Sequence, residues 1–490
     1  MDSSAGAAPA TTGSQSDGPA STPSGSSPGL RRGAIGVPGM VFMVVAATAP
    51  LTAMSSNLSL SLGFGAGEGT LGWIVLIGVL LVFFSAGYLA LARSVVSAGA
   101  YHVYVRYGLG PAAGGAAAFV ATIAYNLASA GMITAAGYFT DLTLTTYVGI
   151  DLHWALYSVA ALMLVWLLGF FGAGFASKVT TVISLLQFVL LAILAVAVFG
   201  RDPGSFATDG FTPGSVTSGG VALTVVFVLL SFAGYEAAAT YGEECKAPGK
   251  KIKYATYLAL GTLVAVFLVS TWTLSAAYDD VQGVAALDPG AVLSGAADEY
   301  LGSYAGGLIG TTVALSFLAA AVAFHNMAAR YGFALGRAGL LPRALARTHP
   351  VRATPHVAVG AQVAVDVLVI VPFVLIDADP LTTVFPAISG VTSLSLVFLM
   401  VSCSLSAVVA SVRGTLTGAG LLTRTLSSVA GIGLLAAGTL IVVNYEQVTG
   451  SASPAVAAMP ALIVLGALAG AVAARRRSAE PGTIESGQQP

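Results

Sequence analysis

Apolar runs long enough to cross a bilayer recur along this chain and leave little room for any other kind of fold. A helix rising about 1.5 Å per residue needs roughly 20 apolar residues to cross the hydrocarbon core. Such runs lie at 39–62, 69–92, 114–140, 153–173, 179–200, 219–242, 254–277, 305–329, 356–376, 384–411, 426–444 and 454–474. The fourth and fifth are divided only by Gly172–Lys178, where Gly172, Gly174 and Lys178 interrupt a run too long for one span. Of the residues, 56% are hydrophobic and 8% charged, whereas soluble domains carry roughly 25% charged residues. No soluble core hides that much apolar surface. The expected class is an all-α polytopic membrane protein with about twelve transmembrane helices.

Several function classes recede on the same evidence. The net charge of -1 gives no electrostatic footprint for nucleic acid. The two cysteines, Cys245 and Cys403, match neither a metal site nor a disulfide framework. No zinc-type H-E-x-x-H, Walker lysine motif or intramembrane Ser/His/Asp set is present, so neither an enzyme nor a bound cofactor or metal is expected. Residues 1–32 are rich in Ser, Gly, Pro, Ala and Thr and read as a disordered cytosolic tail without a signal-peptide pattern. Residues 476–490 read as a second cytosolic tail.

Charge gives orientation. With an even number of spans and a cytosolic N-terminus, alternate loops should be basic. Of the 20 Lys and Arg residues, only Arg201 falls outside the loops so assigned to the cytosol. The opposite loops hold Asp141, Asp151, Asp202, Asp209, Asp279, Asp280, Asp288, Asp298, Asp377 and Asp379. The expected location is the cell membrane, multi-pass, with both termini cytoplasmic.

Two spans are broken at mid-depth. The first contains Ala46-Ala47-Thr48-Ala49-Pro50, where the proline removes an N–H and clashes with the preceding turn. The sixth contains Ser231-Phe232-Ala233-Gly234-Tyr235-Glu236, where Gly234 permits unusual backbone angles and Glu236 places a carboxylate in an apolar run. Broken helices at matching positions of two repeats mark transporter binding sites. The breaks lie five spans apart, and an odd offset inverts one repeat relative to the other. The expected domains are residues 33–200 and 218–411 as two inverted five-helix repeats, followed by two additional helices over 420–475.

The loop after the sixth span continues Glu243-Glu244-Cys245-Lys246-Ala247-Pro248-Gly249-Lys250-Lys251-Ile252. The eighth span and its loop carry Asn326, Arg330, Arg337, Gly339, Pro342, His349-Pro350 and Thr354-Pro355, and the second loop carries Ser97-Ala98-Gly99-Ala100-Tyr101 with Gly108. Together these resemble the signature segments of the amino acid–polyamine–organocation (APC) superfamily, in order, across most of residues 33–411. The resemblance implies a leucine-transporter-type 5+5 inverted repeat plus two extra helices, working by alternating access, with spans 1, 3, 6 and 8 lining the site. It implies a substrate carboxylate on backbone N–H groups at the first break, near Ala46, Ala47, Thr48 and Ala49, and an ammonium on carbonyls at the second, near Ser231, Phe232, Gly234 and Tyr235. Tyr125 and Asn126 of span 3 would line the side-chain pocket.

Two positions depart from the family pattern. The first break carries alanines where the family has a glycine-rich segment, which narrows a carboxylate pocket. The fifth-span lysine of many members, counted from Val179, is here Gln187, an amide that cannot titrate near neutral pH. The coupling candidates are therefore Glu236, His325 and Gln187, each weighed against a purely structural role. Asp366 reads as a structural partner. Glu244, Lys246, Arg330 and Arg337 are candidate cytosolic gate residues, or charges that fix topology or meet lipid headgroups. The sequence thus points to a secondary active permease for an amino acid, with an amine or polyamine transporter, an exchanger or a sensor as alternatives. The expected partners are a small-molecule amino acid or amine, the lipid bilayer and a coupling proton.

Overall fold

The computed structural model describes residues 37, 40–41, 44–45, 48–95, 100–171, 173–201, 208–236, 248–349, 354–416 and 418–478. The expected tail at 1–32, all of the expected tail at 476–490 except its first three residues, which continue the last helix, and the candidates Ala46, Ala47, Glu244 and Lys246 lie outside the described residues.

Described segments are helical wherever the sequence runs apolar. Span 1 is interrupted: α1 (Pro50–Ala53) passes through a π-helical turn at Met54–Leu58 into α2 (Ser59–Phe64). Then come α3 (Thr70–Ser94), the short α4 (Ala100–Leu109), α5 (Pro111–Val148), α6 (Trp154–Phe171), α7 (Ala173–Arg201) and α8 (Val221–Ser231). The rest comprises α9 (Pro248–Ala277), α10 (Val281–Leu287), α11 (Val292–Leu301), α12 (Ser303–Arg337), α13 (His356–Leu375), α14 (Phe385–Val412), α15 (Leu421–Val443) and α16 (Ala461–Ser478). Among the described residues there is no strand, and nine helices are long and apolar enough to cross a membrane. Trp154–Gly169 and Val221–Ser231 are apolar but shorter.

Two helices overrun their apolar runs. The 38 residues of α5 start behind Gly110 (φ 90°), with Pro111 in the first helical position, and stop at Gly149 (φ 78°). At about 1.5 Å per residue such a helix exceeds the roughly 30 Å hydrocarbon core, so its polar last turns project beyond it. The 35 residues of α12 begin behind Gly302 (φ 99°) and run alongside α5. Apolar periodicity marks the lipid-soluble stretch of a helix, whereas glycine stops mark its ends.

The core sits around span 1, where Pro50 to Gly63 are all buried. Peripheral helices turn Leu156, Met163, Val196, Leu368, Ile432 and Leu465 outward, as surfaces facing lipid do. The last helix reaches α5 through bare backbone: a β-carbon at Gly115 would stand 2.3 Å from the Gly470 carbonyl oxygen. Small residues permit this approach in membrane helices.

The charge partition is visible as two ends of the bundle. At one, Arg413 donates to the Gly108 carbonyl at 3.0 Å, Arg424 reaches the Ser411 carbonyl at 3.3 Å, and Arg477 packs against Gly339. At the other, Tyr147 donates to Asp298 at 2.6 Å and His153 lies 3.4 Å from Asp377. Arg201, the basic residue left over by the sequence reading, lies at this acidic end, 3.8 Å from Glu299 and over the Tyr300 ring.

Candidate functional site

Pro50 opens α1, and Ala49 before it adopts a left-handed conformation at φ 44°, ψ 72°. An alanine methyl there meets the following carbonyl, a strain of about 1–2 kcal/mol that glycine avoids. Thr48 is buried, and its hydroxyl donates to the Val45 carbonyl at 2.8 Å. The first turn of α1 has few free donors. Pro50 has no N–H, and the Thr52 and Ala53 N–H groups both donate to the Ala49 carbonyl, at 3.0 and 3.3 Å. Leu51 N–H, pointing out of the break, donates to Oε1 of Gln187 at 3.1 Å. The side chain of span 5 therefore occupies the anion-seeking end of the half-helix.

Relief of this strain is testable. Ala49→Gly is expected to stabilise the protein by about 1 kcal/mol, the steric term outweighing glycine's greater freedom in the unfolded chain. Thermal unfolding in detergent checks it; a lower midpoint would show that Ala49 does not hold the left-handed conformation.

The second break forms as α8 runs out. The Ser231 hydroxyl turns back to the Phe227 carbonyl at 2.8 Å, and Phe232 packs edge-on against Phe267. Tight turns follow, Ala233 N–H to Leu230 and Tyr235 N–H to Phe232, and Gly234 takes φ 102°. The Gly234 N–H donates to Oε2 of Glu236 at 3.0 Å, so this carboxylate caps its own break. Glu236 is 7% exposed. The Tyr88 hydroxyl donates to its backbone carbonyl at 3.3 Å, and the Tyr101 hydroxyl bonds its side chain. Leu81, Tyr101, Phe232, Tyr235 and Met400 line a narrow cavity with it.

Tyr125 of α5 stacks towards Tyr331 and Phe324 of α12, at 5.1 and 6.5 Å between ring centres, and His102 lies 5.9 Å from Tyr331. These rings, with Tyr88 and Tyr104, fill the basic end of the bundle. At the acidic end a cavity of about 130 Å³ remains open among Ser55, Phe139, Thr143, Tyr147, Asp298 and Gly310. Aromatic packing thus fills the basic end, and a cavity opens at the acidic end beside Ser55 of the first broken span.

The structure joins Ala49 to Gln187 through α1, and Glu236 to a wall of tyrosines. It turns Asn126 back onto the Thr122 carbonyl. His325 goes elsewhere, to Asp366 of α13 at 3.1 Å. Arg330 and Arg337 are exposed, the second with its guanidinium over Phe333. Sequence reasoning missed Tyr88 and Tyr331, which periodicity reads as packing. It also missed Asn57, whose buried Oδ1 in the π-helical turn has no hydrogen-bond partner among the described residues. A π-turn in a helix is a frequent mark of a functional site; the run of Ser55, Ser56, Asn57 and Ser59 directly after a break was its available signal.

No curated protein matches the chain. A family model described as "Amino acid permease" matches residues 35–471. Among solved structures, a mutant manganese transporter from Eremococcus coleocola aligns over 92% of this chain and 97% of its own, with a TM-score of 0.53. At 15% identity that likeness shows the shared fold alone. The helical bundle, the interrupted spans and a family match over most of the length lead to one conclusion: this chain is a membrane transporter and belongs to the amino acid permease family.

Proposed function

We propose that the protein is a secondary active permease that moves an amino acid across the cytoplasmic membrane by alternating access, with its basic end in the cytosol. The observation that carries this reading is the pair of interruptions at Ala49–Pro50 and Phe232–Glu236, each breaking the helical ladder in a membrane bundle so that side chains such as Gln187 and Glu236 meet its backbone groups. Irregular backbone is tolerated at that depth only where protein or a cavity supplies its partners. A substrate carboxylate would replace the Gln187 amide oxygen at Leu51. A substrate ammonium would meet backbone carbonyls of the turn around Gly234. In the proposed cycle, the cavity at the acidic end admits substrate and the tyrosine packing at the basic end opens to release it.

The occupied Leu51 N–H and the buried Glu236 favour a second reading, an amine without a carboxylate. Such a cation would keep the Gln187 contact and use Glu236 as counter-charge, with tyrosine rings adding cation–π attraction. Metal-ion cargo, as in the structural neighbour, has less support. Among the described residues no three His, Cys, Asp or Glu side chains stand together, and hard divalent cations need several oxygen ligands, carboxylates prominent among them.

Uptake into proteoliposomes, across labelled zwitterionic amino acids and monoamines, tests both. Saturable uptake of a zwitterion supports the first reading, and selective uptake of amines the second. Absence of flux with both classes, from protein that remains folded, would defeat the transport reading.

A further inference from the structure

His325, Asp366, Gln362 and Ser129 form a polar cluster in the interior of the bundle, away from both breaks. His325 Nδ1 lies 3.1 Å from Asp366 Oδ2, and both side chains are wholly buried. The carboxylate also receives the Gln362 amide at 3.0 Å on Oδ1 and the Ser129 hydroxyl at 3.3 Å on Oδ2. Three elements meet here: α5 supplies Ser129, α12 supplies His325, and α13 supplies Asp366 and Gln362. The other imidazole nitrogen, Nε2, is buried without a hydrogen-bond partner among the described residues.

We propose that Nε2 of His325 is a membrane-embedded proton-binding site oriented by Asp366, and that its loading couples proton movement to substrate movement. Its coupling half rests on the transport reading above. A carboxylate already holding two neutral donors accepts Nδ1–H as its third and so fixes the tautomer with the lone pair on Nε2. That lone pair is the basic atom of the cluster. Binding a proton there converts a buried anion beside a neutral ring into an ion pair with no net charge. Releasing it leaves Asp366 supported by Ser129 and Gln362. Both states are therefore accessible in a place where a lone carboxylate would be prohibitive.

The surroundings keep the site discrete. Beyond Ser129, α5 carries Tyr125 one turn away and Asp141 near the acidic end, while α6 contributes the phenol Tyr157 and no charged residue. Besides His325, α12 has Tyr331 and the exposed Arg330 and Arg337, and α13 has His356 at its first residue. Lys178 and Arg201 stand near the two ends of α7. A β-carbon at Gly169 of α6 would lie 3.6 Å from His325 Cδ2 and 3.5 Å from Asn326 Oδ1. The Nε2 edge therefore faces α6, and a loaded Nε2–H must find its acceptor on that side. Proton loading thereby acts on the packing of α6 against α12. Gln187 offers no titratable group for this purpose, and Glu236, the other buried candidate, is engaged at the second break by the Gly234 N–H.

Two measurements test the proposal. The first is the ratio of proteoliposome uptake with an inward proton gradient to uptake without one, which is independent of the absolute rate. The wild type is expected to show a ratio of about tenfold, the effect of one pH unit on a one-proton step, and His325→Gln and Asp366→Asn a ratio near one. A high ratio in a folded, active His325→Gln protein would overturn the coupling. The second is the unfolding temperature in detergent between pH 5 and 9, which needs no substrate. A titration step present in the wild type and absent from both variants supports proton binding at the pair; a step that survives in His325→Gln overturns it. Absence of flux in every variant would defeat the transport reading while this second measurement still decided the site.

Discussion

Replacing Asp366 by alanine is expected to cost the protein about 3–5 kcal/mol of stability, the scale of breaking a buried charge pair from one side. Three donors converge on this carboxylate: His325 Nδ1, Ser129 Oγ and Gln362 Nε2. Removing the acceptor strands them unequally. The Ser129 hydroxyl can turn to a carbonyl of its own helix, as the Thr134 hydroxyl does on the same helix. The Gln362 amide and the imidazole have no such retreat, and each stranded buried donor costs roughly 1–3 kcal/mol. Chemical denaturation in mixed micelles measures the loss. The double replacement His325→Leu with Asp366→Leu is the sharper test, because apolar residues of similar volume need no partners. It should be less damaging than Asp366→Ala, since what costs most is the broken pair rather than the absent one. A single variant within 1 kcal/mol of wild type would mean that the cluster is not closed as described.

Much of this protein was legible before its structure, for a physical reason. Lipid demands long apolar helices, so each described span lies where hydropathy placed it, and Pro50 and Gly234 marked the two interruptions. What escaped was pairing between distant positions. Gln187 and Leu51 are 136 residues apart, and His325 and Asp366 are 41. No local pattern records which side chain fills which break. The sequence reading therefore grouped His325 with the coupling residues of the central site and treated Asp366 as a separate structural residue, whereas the fold makes them partners. The alanine at position 49 reads in sequence as narrowing a carboxylate pocket, and nothing in its residue type announces that its backbone adopts the left-handed conformation glycine favours. Span lengths were underestimated where α5 and α12 continue past the apolar stretch, because their ends are set by Gly149 and by the turn after Arg337 rather than by hydropathy.

The largest functional effect is expected from Gln187→Lys, which should lower uptake at least 100-fold in protein that still reaches the membrane. An ammonium has donors and no acceptor, so Leu51 N–H would lose its partner at a position where Gln187 is only 1% exposed. The new charge would also stand at the positive end of α1, where the helix dipole repels it. Together these exceed about 3 kcal/mol, and each 1.4 kcal/mol is a factor of ten. Gln187→Glu supplies the control, because it keeps the acceptor and adds a charge that the half-helix favours; its uptake should remain within about tenfold of wild type. Gln187→Leu removes the acceptor without adding charge and should fall between the two. Uptake of the identified substrate by the three variants, normalised to the amount in the membrane, gives the order. If lysine and glutamine transport equally, the side chain does not cap the break, and the first half-helix must meet the substrate with Leu51 N–H free. If the order holds, the half-helix end is capped by the protein's own amide oxygen, and a substrate that needs Leu51 N–H has first to displace it.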